Sequence, residues 1–460
     1  MSPPETDTDL DARVCAADLR DAWPVLDPPS RIEGFRYLTS SDAEEFFLGL
    51  SAFDRAQTLL GLPSGEQRWW MRALAPDDVA DVVQQAPADE RGKLLALLDE
   101  PTRKEVGALL AYAQDEAGGL MNPRYARLRP DMSVDEAISY LRRQTRERVE
   151  SIYYAYVLDE QQKLVGVVSF RQLMMARGDA RVRDVMTPEL VAVLDEMDQE
   201  AVSRKFAEAN LMALPVIDAE GRMKGIVTAD DIVDVVREEA TEDIQKIGGT
   251  EALDAPYLQV RLLQMIQKRG GWLVALFLGE TLTASANGHF STEIERGGWI
   301  LSAFMPLIIS TGGNSGSQAS TLVIRAMALG EVRLRDWWRV VSREVVIGIS
   351  LGAILAVVGL TRIFLWQHLF AYPEHEKHPE WSALGYYGPH YLRVASSVAL
   401  SVLLCAAWGT IAGSLLPFLL KLCKLDPASA CAPLVATLVD VTGLVIYFTI
   451  ASAILSGTLL

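Results

Sequence analysis

Cysteine is scarce in this chain of 460 residues, which has four: Cys15, Cys405, Cys423 and Cys431. No two of them have the C-x-x-C spacing of a thiol metal site or a redox pair. Three of them lie in or beside apolar stretches, where cysteine commonly serves as a small apolar filler. We therefore expect neither disulfide bonds nor a zinc site.

Positive charge is also scarce, since 43 Lys and Arg stand against 60 Asp and Glu and the formal net charge is −17. The imbalance is confined to residues 1–260, which carry 49 acidic and 29 basic side chains, whereas residues 261–460 carry 11 and 14. Such an acidic region would repel nucleic acid. It suits a surface that binds cations, although an acidic face that only confers solubility gives the same composition. No catalytic triad, phosphate loop or dinucleotide fingerprint is present, so we do not expect an enzyme.

Apolar stretches long enough to cross a bilayer occur near residues 271–290, 297–324, 345–366, 392–420 and 430–459. Basic residues cluster before the first stretch, between the second and third, and between the fourth and fifth. By the positive-inside rule these clusters face the cytoplasm. The pattern predicts an integral protein of the cytoplasmic membrane, with its acidic part in the cytoplasm and its C-terminus outside.

Asp440 is the only charged residue between 429 and 460. A carboxylate at mid-membrane costs roughly 2.5–3.5 kcal/mol on insertion scales, so such residues usually have a function. Pro433, Thr437 and Asp440 are spaced to share one helical face. That face would carry a hydroxyl, a carboxylate and a carbonyl that Pro433 leaves unbonded. It predicts an oxygen-lined ion path, the alternative being a protonated or structural acid between helices.

A second membrane motif, Gly-Gly-Asn-Ser-Gly-Ser-Gln at 312–318, lies in the second apolar stretch. Its glycines and small polar residues allow close approach between helices. We also expect them to break the helix and turn backbone carbonyls toward a cavity, where irregular backbone is tolerated. Simple helix packing is the alternative.

Residues 153–173 and 214–232 are two copies of one pattern: strand, polar turn, strand, and a helix opened by Ser169 or Thr228. The doubled pattern resembles a tandem pair of CBS domains. The resemblance implies an α/β regulatory module, often one that binds an adenine nucleotide. Thr228 and Asp231 match the family's ribose-contacting pattern, although the acidic run 230–234 could equally bind a cation.

The acidic region, the CBS-like pair and the two membrane motifs, in this order, resemble the MgtE family of magnesium channels. The resemblance implies an α-helical N-domain, an α/β tandem CBS pair and an all-α transmembrane domain of five helices. We place a flexible segment at 1–40, the N-domain at 41–115, CBS domains at 116–180 and 181–240, a connecting "plug" helix at 241–268 and the pore domain at 269–460.

The family resemblance also implies a homodimer in the lipid membrane, with Mg²⁺ as substrate and regulator and the pore between protomers. The pore residues it implies are Asn314, Ser317, Gln318, Pro433, Thr437 and Asp440. The acidic positions it implies for Mg²⁺ sensing are Asp77, Asp81, Asp198, Glu200, Asp231, Asp234, Glu239, Glu242 and Asp243. Filled sensing sites would clamp the cytosolic domains and close the pore, and empty sites would let repulsion open it.

Two positions depart from the family pattern: Ser317 stands where relatives often have Asn, and Ala432 stands where some relatives have Asn. We expect them to weaken the rejection of Co²⁺, Ni²⁺ or Mn²⁺, and a transporter of those ions is the main alternative function. A CBS-regulated anion channel is less consistent with Asp440. Glu280 is a second acid in an apolar stretch, either part of the pore or protonated against a neighbouring helix.

Overall fold

A computed structural model describes residues 15–144, 153–253, 255–370, 385–429 and 432–459. The chain forms two compact units, Met1–Glu239 and Ala240–Leu460.

The described part of the first unit begins with eight short helices, three of which are opened by a polar cap. Asp27, Thr39 and Ser51 each accept a hydrogen bond from the backbone three residues later, which satisfies an otherwise unpaired N–H of the first turn. The helices are α1 Ala16–Ala22, α2 Pro28–Arg36, α3 Ser40–Leu48, α4 Ala52–Gly61, α5 Ser64–Ala73, α6 Pro76–Gln85, α7 Ala88–Ala96 and α8 Glu100–Leu109.

Aromatic side chains form the centre of this helical domain. Trp23 packs edge-on against Phe46, and Phe35 packs against Phe47 and Trp70. Trp23 and Phe35 belong to residues 16–36, so the prediction of a flexible segment at 1–40 is wrong for this part, because α1 and α2 supply core side chains. Residues 1–14 lie outside the described part of the chain.

Two three-stranded sheets follow, and they confirm the predicted repeat. In each sheet the first strand runs parallel to the second and the second antiparallel to the third. The first sheet comprises β1 Arg127–Leu128, β2 Tyr154–Leu158 and β3 Leu164–Ser169; the second comprises β4 Val193–Leu194, β5 Ala213–Ile217 and β6 Met223–Thr228. Tyr156, Leu158, Met223 and Ile226 pack together between the sheets.

Helices flank these sheets: α9 Ala117–Leu120, α10 Val134–Gln144, α11 Phe170–Met175, α12 Val182–Val185, α13 Gln199–Ala209 and α14 Ala229–Ile247. The buried residues of the N-domain and of the second sheet, among them Val202, Leu214 and Val227, belong to one continuous core.

The connecting segment differs from its prediction. The helix that follows the second sheet, α14, ends at Ile247, and residues 248–261 are not helical where described. Gly249 has a φ of +74°, which favours glycine, and Pro256 cannot continue a helix. The predicted single helix over 241–268 is therefore two helical pieces joined by an irregular segment.

The described part of the second unit contains five long helices at the predicted apolar stretches: α15 Leu262–His289, α16 Ser291–Ala328, α17 Trp337–Leu369, α18 Tyr391–Leu422 and α19 Ala432–Leu455. Three of them, α17, α18 and α19, are long and apolar enough to cross a membrane by length and composition. The helical path of α16 is broken at Gly298, whose φ is +56°.

Helices α16 to α19 share the apolar core of this unit, in which Phe304, Val398, Tyr447 and Phe448 are buried. The Tyr447 hydroxyl donates a hydrogen bond to the carbonyl of Leu301, 2.9 Å away, which ties α19 to α16. In contrast, α15 has no buried residue and packs mainly along α19.

Candidate cation pathway

Asp440 is the only charged residue of α19 and is half-buried. Its Oδ1 lies near the backbone of α16, at 3.6 Å from where a Cβ on Gly313 would stand. Within the described residues, no Lys or Arg forms an ion pair with it. The structure therefore places a lone carboxylate against a glycine-lined stretch of the neighbouring helix.

The glycines of the 312–318 motif are used for helix packing. A Cβ on Gly409 would overlap the carbonyl oxygen of Gly312, and a Cβ on Gly413 would overlap that of Gly316. In the other direction, a Cβ on Gly316 would lie 2.8 Å from the carbonyl oxygen of Gly409. Two glycine pairs, each spaced i and i+4, thus bring α16 and α18 into backbone contact. The predicted break at this motif is wrong, because α16 stays helical here and its glycines pack against α18.

The polar residues of the same motif point in different directions. Asn314 and Gln318 are exposed, one turn apart, and the Asn314 amide donates to the Ser310 hydroxyl at 3.3 Å. The Ser317 hydroxyl instead donates to the carbonyl of Ala432, 3.2 Å away at the start of α19. Asn314 and Gln318 thus form an open polar face, while Ser317 joins two helices.

Pro433 lies in the first turn of α19, where its missing N–H breaks no helical hydrogen bond. Its carbonyl accepts a hydrogen bond from the Thr437 hydroxyl at 3.1 Å. The expectation that Pro433 leaves a carbonyl unbonded is therefore wrong, because a proline in the first helical turn removes no hydrogen bond within the helix. Thr437 and Asp440 remain on one side of α19.

A contact beside Asp440 was not predicted from the sequence. The indole N–H of Trp408 donates to the Thr442 hydroxyl at 2.7 Å, linking α18 to α19 two residues after the acid. Thr442 belongs to the Asp-Val-Thr-Gly run that the sequence singles out, but its partner lies more than thirty residues away and gives no local signal.

Most of the predicted sensing acids in the first unit already have hydrogen-bond or ion-pair partners. Asp77 is buried and accepts from the Asn122 amide at 3.1 Å. The remaining pairs are the Asp198 carboxylate with the backbone N–H of Glu200 at 3.0 Å, the Glu200 side chain with Arg204 at 3.3 Å, Asp234 with Arg237 at 3.6 Å and Glu239 with Gln199 at 2.6 Å. These acids are spread over several places.

Asp81 and Asp231 are brought together across the first unit. Burial and the negative charges of Asp78 and Asp231 together raise the pKa of Asp81 to about 8, against a partial offset from Arg55. Burial likewise raises the pKa of Asp231 to about 7, opposed by its hydrogen bonds from Thr228. The structure thus assembles an acidic cluster between α6 and α14.

Two members of this cluster were missed by the sequence reasoning. Asp78 forms an ion pair with Arg55, and the charge of Glu238 acts on Asp81. The signal for both was weak, because acidic residues are common on these helices. Asp231 also accepts from the backbone N–H and hydroxyl of Thr228, at 2.9 and 2.6 Å, so the predicted nucleotide pair is in direct contact.

Lys246, near the end of α14, bridges two carboxylates of the second unit. It pairs with Glu242 on its own helix and with Asp426, 2.6 Å away in the connection between α18 and α19. Beside it, Ile247 packs against Ile324 and Ala428. Asp243 is half-buried and has a partner of its own. An ammonium group therefore occupies the place between two acids, one of which, Glu242, was predicted to bind Mg²⁺.

Across the described ranges of the chain, no group of three or more His, Cys, Asp and Glu is positioned to hold a metal ion. The predicted acidic ligands are thus not gathered into a complete site within one chain.

A bundle of apolar helices with a lone carboxylate, attached to an acidic regulatory unit, defines a membrane transporter of cations and not an enzyme. Family models match the chain as the MgtE intracellular N domain at 15–115, CBS domains at 117–179 and 182–238, and the MgtE divalent cation transporter domain at 305–450. The chain belongs to the MgtE family.

Individual relatives agree with this assignment. The magnesium transporter MgtE of Thermus thermophilus is 37% identical over 443 residues, which cover 96% of this chain and 93% of the relative. The magnesium transporter MgtE of Bacillus subtilis is 30% identical over 383 residues, 83% of this chain and 79% of the relative. A solved cytosolic domain of the Mg²⁺ channel MgtE in complex with ATP is 41% identical, covers 48% of this chain and 90% of that chain, and has a TM-score of 0.45.

Proposed function

We propose that this protein is a Mg²⁺-selective channel or transporter for uptake across the cytoplasmic membrane. The observation that carries the proposal is Asp440, a half-buried carboxylate without an ion pair among the described residues, in an otherwise uncharged helix. Carboxylate, amide and hydroxyl oxygens are the groups that hold Mg²⁺ and its water shell. The pathway is lined by Asp440 and Thr437 of α19 and by Asn314 and Gln318 of α16.

A second copy of the chain completes the pathway. Ser310, Asn314, Gln318 and Thr321 are exposed polar residues along one side of α16. Facing lipid, these groups would keep only hydrogen bonds within α16, such as that from Asn314 to Ser310, and would lose their hydrogen bonds to water. A homodimer with a two-fold axis along this side would set the same polar face on both walls of a water-filled path. All five long helices then span the bilayer, with the first unit in the cytoplasm and the C-terminus outside.

Mg²⁺ bound to the cytosolic acids regulates the pathway. The cluster of Asp78, Asp81, Asp231 and Glu238 has an excess of negative charge that a cation relieves, which favours the packed state of the unit when Mg²⁺ is abundant. The other predicted sensing residues, Asp77, Asp198, Glu200, Asp234, Glu239, Glu242 and Asp243, would have to exchange their present partners for the ion.

The second CBS domain also binds an adenine nucleotide. Thr228 and Asp231 lie at the start of α14, where hydroxyl and carboxylate oxygens can contact ribose. The equivalent residues of the first CBS domain are Ser169 and Gln172, which close a capping box. Because Gln172 carries no charge, we place the nucleotide at the second domain.

The test is Mg²⁺ uptake by the full-length protein in proteoliposomes. Asp440→Asn removes the charge and keeps the shape, and we expect uptake to fall to background while the protein stays folded and dimeric. Glu331→Gln, at an exposed position between α16 and α17, is the control for loss of an acid and retains uptake. Near-normal uptake by Asp440→Asn would overturn the pathway. Uptake of Co²⁺, Ni²⁺ or Mn²⁺ in preference to Mg²⁺ would establish the alternative substrate.

A further inference from the structure

Glu280 is an acid in the apolar part of α15 that the proposed pathway has not used. It is exposed on the single chain. Within the described residues it has no ion-pair partner. An ionised carboxylate facing lipid at this depth is costly, by roughly 2.5–3.5 kcal/mol on insertion scales. At this position the Glu280 carboxylate must therefore be hydrated, protonated or paired with a cation.

The packing of α15 on α19 fixes the depth of Glu280. A Cβ on Gly279 would lie 2.7 Å from the Thr437 Cγ2, and farther along both helices Phe290 stacks on Phe448 with ring centroids 5.2 Å apart. The two contacts follow the same order in both helices and have the same offset in residue number. The helices therefore run parallel and in a constant register.

This register brings the two acids to nearly the same level. Glu280 follows Gly279 by one residue, and Asp440 follows Thr437 by three. With a rise of about 1.5 Å per residue, the two acids differ in depth by about 3 Å. Both acids lie within three residues of the contact between Gly279 and Thr437.

We propose that Glu280 is a second carboxylate of the cation pathway, and that together with Asp440 it sets the preference for divalent over monovalent cations. This inference rests on the proposed function of Asp440. The attraction between a fixed charge and an ion grows with the charge of the ion, so a second carboxylate favours Mg²⁺ over Na⁺.

The test compares Mg²⁺ and Na⁺ permeation through the full-length protein in proteoliposomes. Glu280→Gln should lower the Mg²⁺ to Na⁺ permeability ratio by about tenfold, through loss of one charge near the path. Glu280→Asp should restore most of the ratio. Glu295→Gln, the same chemical change at the exposed start of α16, should leave it unchanged.

A purely structural role predicts a different result, since it would lower both permeabilities together and leave their ratio as in the parent. An unchanged ratio in Glu280→Gln would overturn the inference, and so would a ratio that Glu280→Asp does not restore. The Asp440→Asn variant, measured in parallel, reports on the pathway itself. Loss of uptake in Asp440→Asn beside an unchanged ratio in Glu280→Gln would reject the role of Glu280 alone.

Discussion

The Ser317 hydroxyl donates a hydrogen bond to the Ala432 carbonyl at 3.2 Å, so the two positions that depart from the family pattern are in contact. The sequence suggested that both positions face the ion and set its selectivity. In the structure Ser317 anchors the first turn of α19 to α16, one residue before Pro433. We therefore expect Ser317 to hold α19 in place and not to contact the ion.

We expect Ser317→Ala to destabilise the protein by about 1 kcal/mol, the usual contribution of one hydrogen bond, and to leave the choice of ion unchanged. The measurements are the thermal midpoint in detergent and competitive uptake of Mg²⁺ against Co²⁺. Ser342→Ala, on the exposed start of α17, is the control for loss of a hydroxyl. If Ser317→Ala changes the ion selectivity and leaves the stability unchanged, Ser317 lines the proposed path after all.

The double change Ser317→Asn with Ala432→Asn tests the original selectivity hypothesis directly. Because the Ser317 hydroxyl is bonded to the Ala432 carbonyl, we expect the double variant to keep the parent's preference for Mg²⁺ over Co²⁺ or Mn²⁺. A stronger preference for Mg²⁺ would support the original hypothesis. Competitive uptake in cells expressing the parent and the double variant is the measurement. Equal selectivity in both would show that these positions do not contribute.

Gly413→Ala is expected to destabilise the second unit by about 1–3 kcal/mol, the usual range for overpacking. The added methyl would overlap the Gly316 carbonyl oxygen and force α16 and α18 apart. Gly359→Ala is the matched control, because no atom lies within 4 Å of the new methyl and a helix gains stability when alanine replaces glycine. Thermal midpoints in detergent should move in opposite directions for the two variants.

Asp81 is expected to make the stability of the first unit depend on pH. Its pKa is raised from 3.8 to about 8, so the folded protein holds a proton that the unfolded chain releases over this range. Stability conferred by this group is therefore lost as pH rises from about 4 to about 8. In Mg²⁺-free buffer, the thermal midpoint should fall less between about pH 6 and about pH 8.5 in Asp81→Asn than in the parent. Asp89→Asn, at an exposed position of α7, should behave like the parent.

The same cluster predicts a response to Mg²⁺. Above about pH 8 Asp81 and Asp231 are ionised, so millimolar Mg²⁺ should raise the thermal midpoint and the resistance to protease of the parent. Asp81→Asn combined with Asp231→Asn should shift this response to a higher Mg²⁺ concentration. An unchanged Mg²⁺ midpoint would show that the cluster is only a solvated acidic face.

The local sequence pattern was sufficient to predict the two sheets of the CBS domains and the positions of the long helices. Alternating apolar residues and polar turns locate β2, β3, β5 and β6, and uninterrupted apolar runs locate α15 to α19. Helices α1 and α2 were missed because they are short and hydrophilic, with only a few apolar residues that complete a core built by later helices.

The arrangement of the sites depends on pairs far apart in the chain. Asp81 interacts electrostatically with Asp231, Lys246 forms an ion pair with Asp426, and Gly316 packs against Gly409. Each pair joins elements whose packing has no signature in either segment alone. The glycines illustrate this point, since the same residues that break a helix in water allow close backbone contact when another helix covers them.

The glycine contacts between α16 and α18 have a mechanical consequence. Backbones in direct contact have no flexible side chains between them to absorb a displacement, so these two helices should shift together as one stiff wall. Helix α15 has no buried residue and is held mainly by α19. Of the five helices, α15 can therefore tilt or slide with the fewest core contacts broken. We therefore expect the distance between Glu280 and Asp440 to be the dimension of the proposed pathway that is easiest to change.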